Sequence, residues 1–141
     1  MISGFQLVNH HIERLHLDSI GANNDLEKLS LGYFADYHYT KKDDGWSGEV
    51  VLGFRKDMPT NEQSKCLYEI VIKGNFKAQE DNMIQSDEAF VKYLRLNGAT
   101  TLIPIARAAL ISTAALTGNS ASGLYSLPNI NVHDLHWQRD Q

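Results

Sequence analysis

The 141 residues suit a single domain spanning 1–141. A hydrophobic share of 43% and a charged share of 21% exclude a disordered chain, and a domain of this size buries a core without disulfide or metal. A formal net charge of −4 speaks against a nucleic-acid binder, which shows a basic face, and against an anionic membrane as main partner.

Cys66 is the only cysteine, so no intrachain disulfide forms and secretion gains no support. The first residues carry neither a basic n-region nor an apolar h-region, and the cytoplasm is the expected location. The apolar stretch 102–116 is interrupted by Pro104, Arg107, Ser112 and Thr113, which makes it too short and too polar to span a bilayer.

Extended segments come first. Over residues 5–17 the alternation of Phe5 and Leu7 is lost at Ile12 and restored at Leu15 and Leu17, the mark of a bulge or bend in a long strand. Residues 29–40 place Leu29, Leu31, Tyr33, Ala35, Tyr37 and Tyr39 on one face and a largely polar set on the other. Asp43-Asp44-Gly45 supplies hairpin chemistry. The third strand, 46–56, aims Trp46, Val50, Leu52 and Phe54 one way. A connection containing Pro59 and Asn61 leads to the fourth, 65–76, with Tyr68, Ile70, Ile72 and Phe76 on one face and Leu67, Glu69, Val71 and Lys73 on the other. Consecutive strands with short links read as an antiparallel meander with one buried face.

Helical character follows. Ser86 is a fitting N-cap for a helix over 87–96, acidic in its first turn, and Asn97-Gly98 reads as its stop. A second, alanine-rich helix is expected over 101–117, with Leu102, Ile105, Ala109, Ser112 and Leu116 on one stripe and Gly118 ending it. Pro104 either sits in its first turn or kinks it. An irregular stretch, 119–129, and a short segment, 131–137, close the chain. Strands first and helices last make the class α+β: a four-stranded antiparallel β-sheet packed with C-terminal helices.

The run Leu96-Asn97-Gly98-Ala99-Thr100-Thr101-Leu102-Ile103-Pro104-Ile105-Ala106-Arg107, followed by Leu116-Thr117-Gly118 and by Leu127-Pro128-Asn129-Ile130-Asn131-Val132, resembles the SecB family of protein-export chaperones in order and spacing. Phe5-Gln6-Leu7 and Cys66-Leu67-Tyr68-Glu69-Ile70, with Gly74 and Phe76, resemble that family's first and fourth strands. Val132 stands where the family has an aromatic, His133 where it has an acid, and its extended acidic tail does not follow Trp137.

The resemblance implies a non-enzymatic holdase that binds unfolded polypeptides or preproteins without ATP, since client binding shifts folding equilibria by mass action. No phosphate-loop motif is present. It also implies a groove between sheet and helices, for which Tyr33, Tyr37, Tyr39, Trp46, Phe54, Tyr68 and Phe76 are candidates. Core packing is the commoner use of any one of them. Docking of the translocase motor SecA would fall on Asp18, Leu67 and Glu69, although Arg14 replaces a family acid, with Glu13 beside it. Assembly is implied as a homotetramer, a dimer of dimers, or a dimer. Two alternatives keep the fold: a chaperone dedicated to one partner such as an antitoxin, and a carrier of small hydrophobic ligands.

Six histidines, including His10, His11, His16, His133 and His136, raise a metal site, but neither a cysteine pair nor an HExxH spacing accompanies them. Cys66 within a strand reads as a small buried hydrophobe, and Arg107 as a structural hydrogen-bond donor. No nucleophile or paired-carboxylate motif appears. The expectation is no enzyme and no cofactor.

Overall fold

The computed structural model describes residues 4–18, 29–59, 64–81, 83–116 and 125–140. Four strands, β1 (Phe5–Leu17), β2 (Ser30–Lys42), β3 (Gly45–Pro59) and β4 (Ser64–Gln79), precede one long helix, α1 (Asp87–Leu116). Single 3-10 turns follow at Val132–Asp134 and Gln138–Asp140. All pairings among the strands are antiparallel.

The hairpin forms where Asp43-Asp44-Gly45 places it, Lys42 pairing with Gly45 across a two-residue turn. The strand order is β1-β4-β3-β2. Thus β2, β3 and β4 make the expected meander, but β1 crosses to the far side of β4 instead of pairing with β2. The phase break of the first strand is real and double: register shifts fall between Leu7 and Asn9 and between Ile12 and Arg14. Each adds a residue to β1 and twists this edge of the sheet.

One sheet face is the core. Tyr37, Trp46, Val50, Leu52, Phe54, Tyr68, Ile70, Ile72 and Phe76 are all buried, as their alternation requires. Leu67 departs from it. The register slips between Lys56 and Asp57, whose partners are Tyr68 and Cys66, so Leu67 has no partner on β3 and turns inward. It is fully buried beside fully buried Tyr68.

The two expected helices are one. Asn97-Gly98 does not stop α1, because Gly98 serves packing rather than chain reversal: a Cβ there would lie 2.7 Å from Val50 Cγ2. The sheet offers matching hollows. Gly48 lies beneath Leu94 and Phe90, and Gly74 beneath Leu102, so the helix settles onto a floor without side chains. The buried stripe is accordingly Phe90, Leu94, Gly98, Leu102, Ala106, Leu110 and Ala114. Of the expected stripe only Leu102 is buried. Ile105 and Ala109 are half-buried, and Ser112 and Leu116 are exposed. Pro104 lies inside the helix, exposed on its outer side.

The N-cap is where it was expected: Ser86 Oγ accepts the Ala89 N–H at 3.1 Å, and its carbonyl accepts the Phe90 N–H at 3.0 Å. At 30 residues the helix is long and apolar enough, by length and composition alone, to cross a bilayer. The short-segment argument against a span therefore lapses. The stripe packed on the sheet gives its apolar residues a core role instead. The expected helix end at Thr117-Gly118 and Asn61 of the β3–β4 connection lie outside the described residues.

Candidate functional site

The seven candidate aromatics do not share one groove. Trp46 and Phe76 belong to a cluster that fastens the start of α1 to the sheet. Trp46 stacks on Phe90 with centroids 5.7 Å apart, Phe5 stacks on Phe76 at 5.2 Å, and Tyr39 packs on Phe90 at 6.0 Å. The Trp46 indole N–H also donates to Asp87 Oδ1 at 2.8 Å, joining β3 to the first residue of the helix. Tyr68 lies at the other end, beneath the loop after α1. Its hydroxyl donates to the Ser126 carbonyl at 3.3 Å, and burial pushes its pKa up to about 12. Phe54 is a core residue with 1% of its surface exposed.

Tyr33 and Tyr37 form the third group, on β2, the edge strand opposite β1. Tyr37 is 6% exposed and Tyr33 41%. The end of the chain lies against them. Trp137 bridges to Ala35 in parallel pairing and meets the Tyr37 ring edge-on at 5.9 Å and 73°. The His136 N–H donates to the Tyr33 hydroxyl at 3.0 Å. Guanidinium groups approach the Tyr37 ring from Arg139 at 5.5 Å and from Arg95 at 6.0 Å. Sequence reading missed this site. Trp137 is 6% exposed, and a tryptophan so near the end of a polar tail was the available signal.

The segment of residues 125–132 is tied back from α1. Arg107 donates from Nε to the Leu127 carbonyl at 3.4 Å and from its terminal nitrogen to the Pro128 carbonyl at 3.0 Å. That is the structural donor role its position suggested.

The outer face of the sheet carries Glu69, and here carboxylates and cations are interleaved. Glu69 sits between two arginines, 3.0 Å from Arg14 and 3.7 Å from Arg55. Arg55 is also 2.8 Å from Asp57. Lys73 bridges Glu13 at 3.0 Å and Glu49 at 3.7 Å. Its hydrogen bond holds the Glu13 carboxyl below the ordinary carboxylate range, and Glu13 raises Lys73 in return. Such exposed pairs contribute little stability one by one, but three cations standing among these four carboxylates make the face less acidic than the carboxylates alone would.

Of the three docking candidates, Asp18 directly follows β1, donating its N–H to the Leu67 carbonyl at 2.8 Å and lying 3.7 Å from Lys65. Leu67 shows no surface. Only Asp18 and Glu69 present side chains outward, and both have cationic neighbours. Beside Glu69 lies a shallow recess of about 240 Å³, lined by Tyr33, Phe34, Gly53, Arg55 and Val71 among others. The half-exposed Phe34 ring covers Gly53, occupying the space a Cβ would need.

Among the described residues no group of three or more His, Cys, Asp and Glu side chains gathers as metal ligands do. His10 and His11 pair with Gly74 and Lys73 on β4 and so point to opposite faces. Cys66 is half-buried rather than fully buried, and desolvation raises its thiol pKa above the ordinary value.

No protein-family model matches the sequence, and no curated protein matches it. Among solved structures the chain is similar to the SecB-like chaperone Rv1957 of Mycobacterium tuberculosis, determined in complex with a ChAD peptide from the HigA1 antitoxin. The TM-score is 0.56 at 12% identity, covering 89% of this chain and 90% of that one. The four-stranded antiparallel sheet with its single long C-terminal helix is thus a SecB-like fold.

Proposed function

We propose that this chain is a SecB-like holdase that binds unfolded or extended polypeptide in the cytoplasm, without nucleotide. The fold likeness to a chaperone solved with a peptide carries the reading. It is supported by edge strand β2, where Tyr33 and Phe34 stay 41% and 36% exposed. An exposed edge offers backbone hydrogen bonds, and neighbouring aromatics offer apolar surface, together the requirements of a binder with varied extended clients. The purified protein at stoichiometric ratio should suppress aggregation of several unrelated unfolded proteins. Failure with all of them removes the general holdase.

A second reading, a chaperone dedicated to one partner such as an antitoxin, is favoured by the outer face. Arg14 and Arg55 neutralise Glu69, which weakens the complementary surface that SecA docking requires. On this reading one partner is held and unrelated clients are not. Delivery of preproteins to SecA stands or falls with Asp18 and Glu69: if the motor binds, Glu69→Lys should lower its affinity, and unchanged binding removes that residue from the interface. Assembly as a tetramer, a dimer of dimers, or as a dimer is part of the proposal. Light scattering on the eluting protein tests it, and a strict monomer counts against it. The small-ligand carrier gains no support from the hollow of about 700 Å³ at the hairpin end, whose lining includes Lys42, Asp44, Ser47, Lys77 and Gln79.

A further inference from the structure

We propose that residues 135–139 are a resident ligand of the β2 edge, a segment of the chain's own that a client must displace. The edge thereby selects extended peptides with an aromatic residue followed two positions later by a cation. The proposal rests on the polypeptide-binding reading above and adds to it a site, a specificity and an internal competitor.

The segment is placed as a bound peptide would be. It meets β2 at one parallel bridge, Ala35 to Trp137, and leaves through the turn Gln138–Asp140. Parallel pairing is somewhat weaker per residue than the antiparallel pairing of the rest of the sheet, and a single bridge is far less than a strand. The hold is therefore built from side chains. Trp137 packs edge-on against Tyr37. Two residues on, Arg139 lies over the same ring and places a guanidinium nitrogen 2.9 Å from His38 Nδ1. His38 Nε2 faces Glu49 at 3.2 Å. An imidazole carrying its proton on Nε2, toward that carboxylate, leaves Nδ1 as an acceptor that only a donor can satisfy. A ring face and an acceptor side by side suit a cation at this position and reject a carboxylate. The His136 N–H adds a backbone contact to the Tyr33 hydroxyl. The edge thus reads one backbone bridge, one aromatic and one cation, in fixed spacing.

An attached ligand competes at an effective concentration on the order of millimolar. A free peptide with intrinsic Kd of about 100 μM is then weakened roughly tenfold in the intact chain. The test uses a fluorescein-labelled peptide with the sequence of residues 134–139. Fluorescence anisotropy is recorded against full-length wild type, Trp137→Ala and Arg139→Ala. Trp137→Ala should bind the peptide roughly tenfold more tightly than wild type, and Arg139→Ala should show a smaller gain in the same direction. Replacing the peptide's own tryptophan by alanine, or its arginine by glutamate, should abolish the gain.

Equal affinity for wild type and both variants, or tighter binding that ignores the peptide's sequence, overturns the proposal. Arg139 is exposed and its removal leaves the buried indole in place, so a folding failure of Trp137→Ala does not decide the matter. Aggregation assays on the same proteins separate the two readings. Peptide displacement with no client held keeps the resident ligand and defeats the holdase. Clients held equally by all three proteins, with no effect of the peptide, does the reverse.

Discussion

Replacing Gly98 by alanine sets two effects of known size against each other. Alanine is favoured over glycine inside a helix by about 1 kcal/mol, so at an exposed site the change would stabilise. At Gly98 the added methyl would lie 2.7 Å from Val50 Cγ2, 3.4 Å from Val50 Cβ and 3.6 Å from the Phe76 ring. Val50 is a fully buried β-branched residue on the inner strand β3. Its rotamer is stiff, and overpacking of this kind costs about 1–3 kcal/mol. The net expectation is a loss of up to about 2 kcal/mol, read as a lower urea midpoint by far-UV circular dichroism at fixed protein concentration.

A cycle with Val50→Ala isolates the cause. That change removes the opposing methyl groups, so Gly98→Ala in its background should stabilise by about 1 kcal/mol, a coupling of about 1–3 kcal/mol. A glycine needed only to end the helix would cost the same whatever stands at position 50. Stabilisation by Gly98→Ala alone, or coupling below about 0.5 kcal/mol, refutes the packing argument.

Three further outcomes are expected. Ser86→Ala should cost about 1 kcal/mol through loss of the helix cap, with Ser86→Asp close to neutral; denaturant unfolding measures both, and an unchanged midpoint for the alanine variant contradicts the cap. Trp46→Phe should cost about 1–2 kcal/mol, because it removes the indole N–H from Asp87, and the loss should shrink when Asp87 is already asparagine. Tyr68 should ionise late in a spectrophotometric titration, near pH 12, against an ordinary value of 10. Its folded pKa is raised, so its contribution is fully present below pH 10 and is lost as pH rises from 10 toward 12. Tyr68→Phe should flatten that part of the stability profile, and a full tyrosine titration complete by pH 11 counts against the burial argument.

Much of the fold was legible because it is written in short-range pattern. The alternation along β3 and β4 names the buried face residue by residue, the paired aspartates and Gly45 name the hairpin, and Ser86 names the helix start. What stayed hidden depends on partners distant in the chain. Asn97-Gly98 has the local chemistry of a stop, and only the presence of Val50 beneath it shows why glycine is required within a helix. The true stripe of α1 follows the sheet's glycine hollows rather than the richest apolar face, which is why Ile105 and Leu116 were misplaced.

Leu67 was misread because it is itself the extra residue of a bulge on β4, and a bulge reverses parity without breaking the local apolar alternation that the sequence shows. The position of β1 beside β4 is likewise a long-range choice. Of the seven candidate aromatics, Tyr37, Trp46, Phe54, Tyr68 and Phe76 are buried in the core, Tyr39 is half-buried and Tyr33 is exposed. Trp137 and Arg139 went unnoticed because neither belongs to a periodic segment.

The strand order β1-β4-β3-β2 also sets a timetable. Phe5 pairs with Ala78 and Leu17 with Tyr68, so the first strand leaving the ribosome must wait for the last one before it has any neighbour. The β2–β3 hairpin can close at once, but completion of the sheet requires a long loop to be closed before its contacts return any stability. Until then Phe5, Leu7, Leu15 and Leu17 are an uncovered apolar strand. The two irregularities in β1 give that waiting strand a broken register, a poor template for pairing with another nascent chain. A protein read here as a guardian of unfinished chains would, during its own synthesis, pass through the condition from which it protects others.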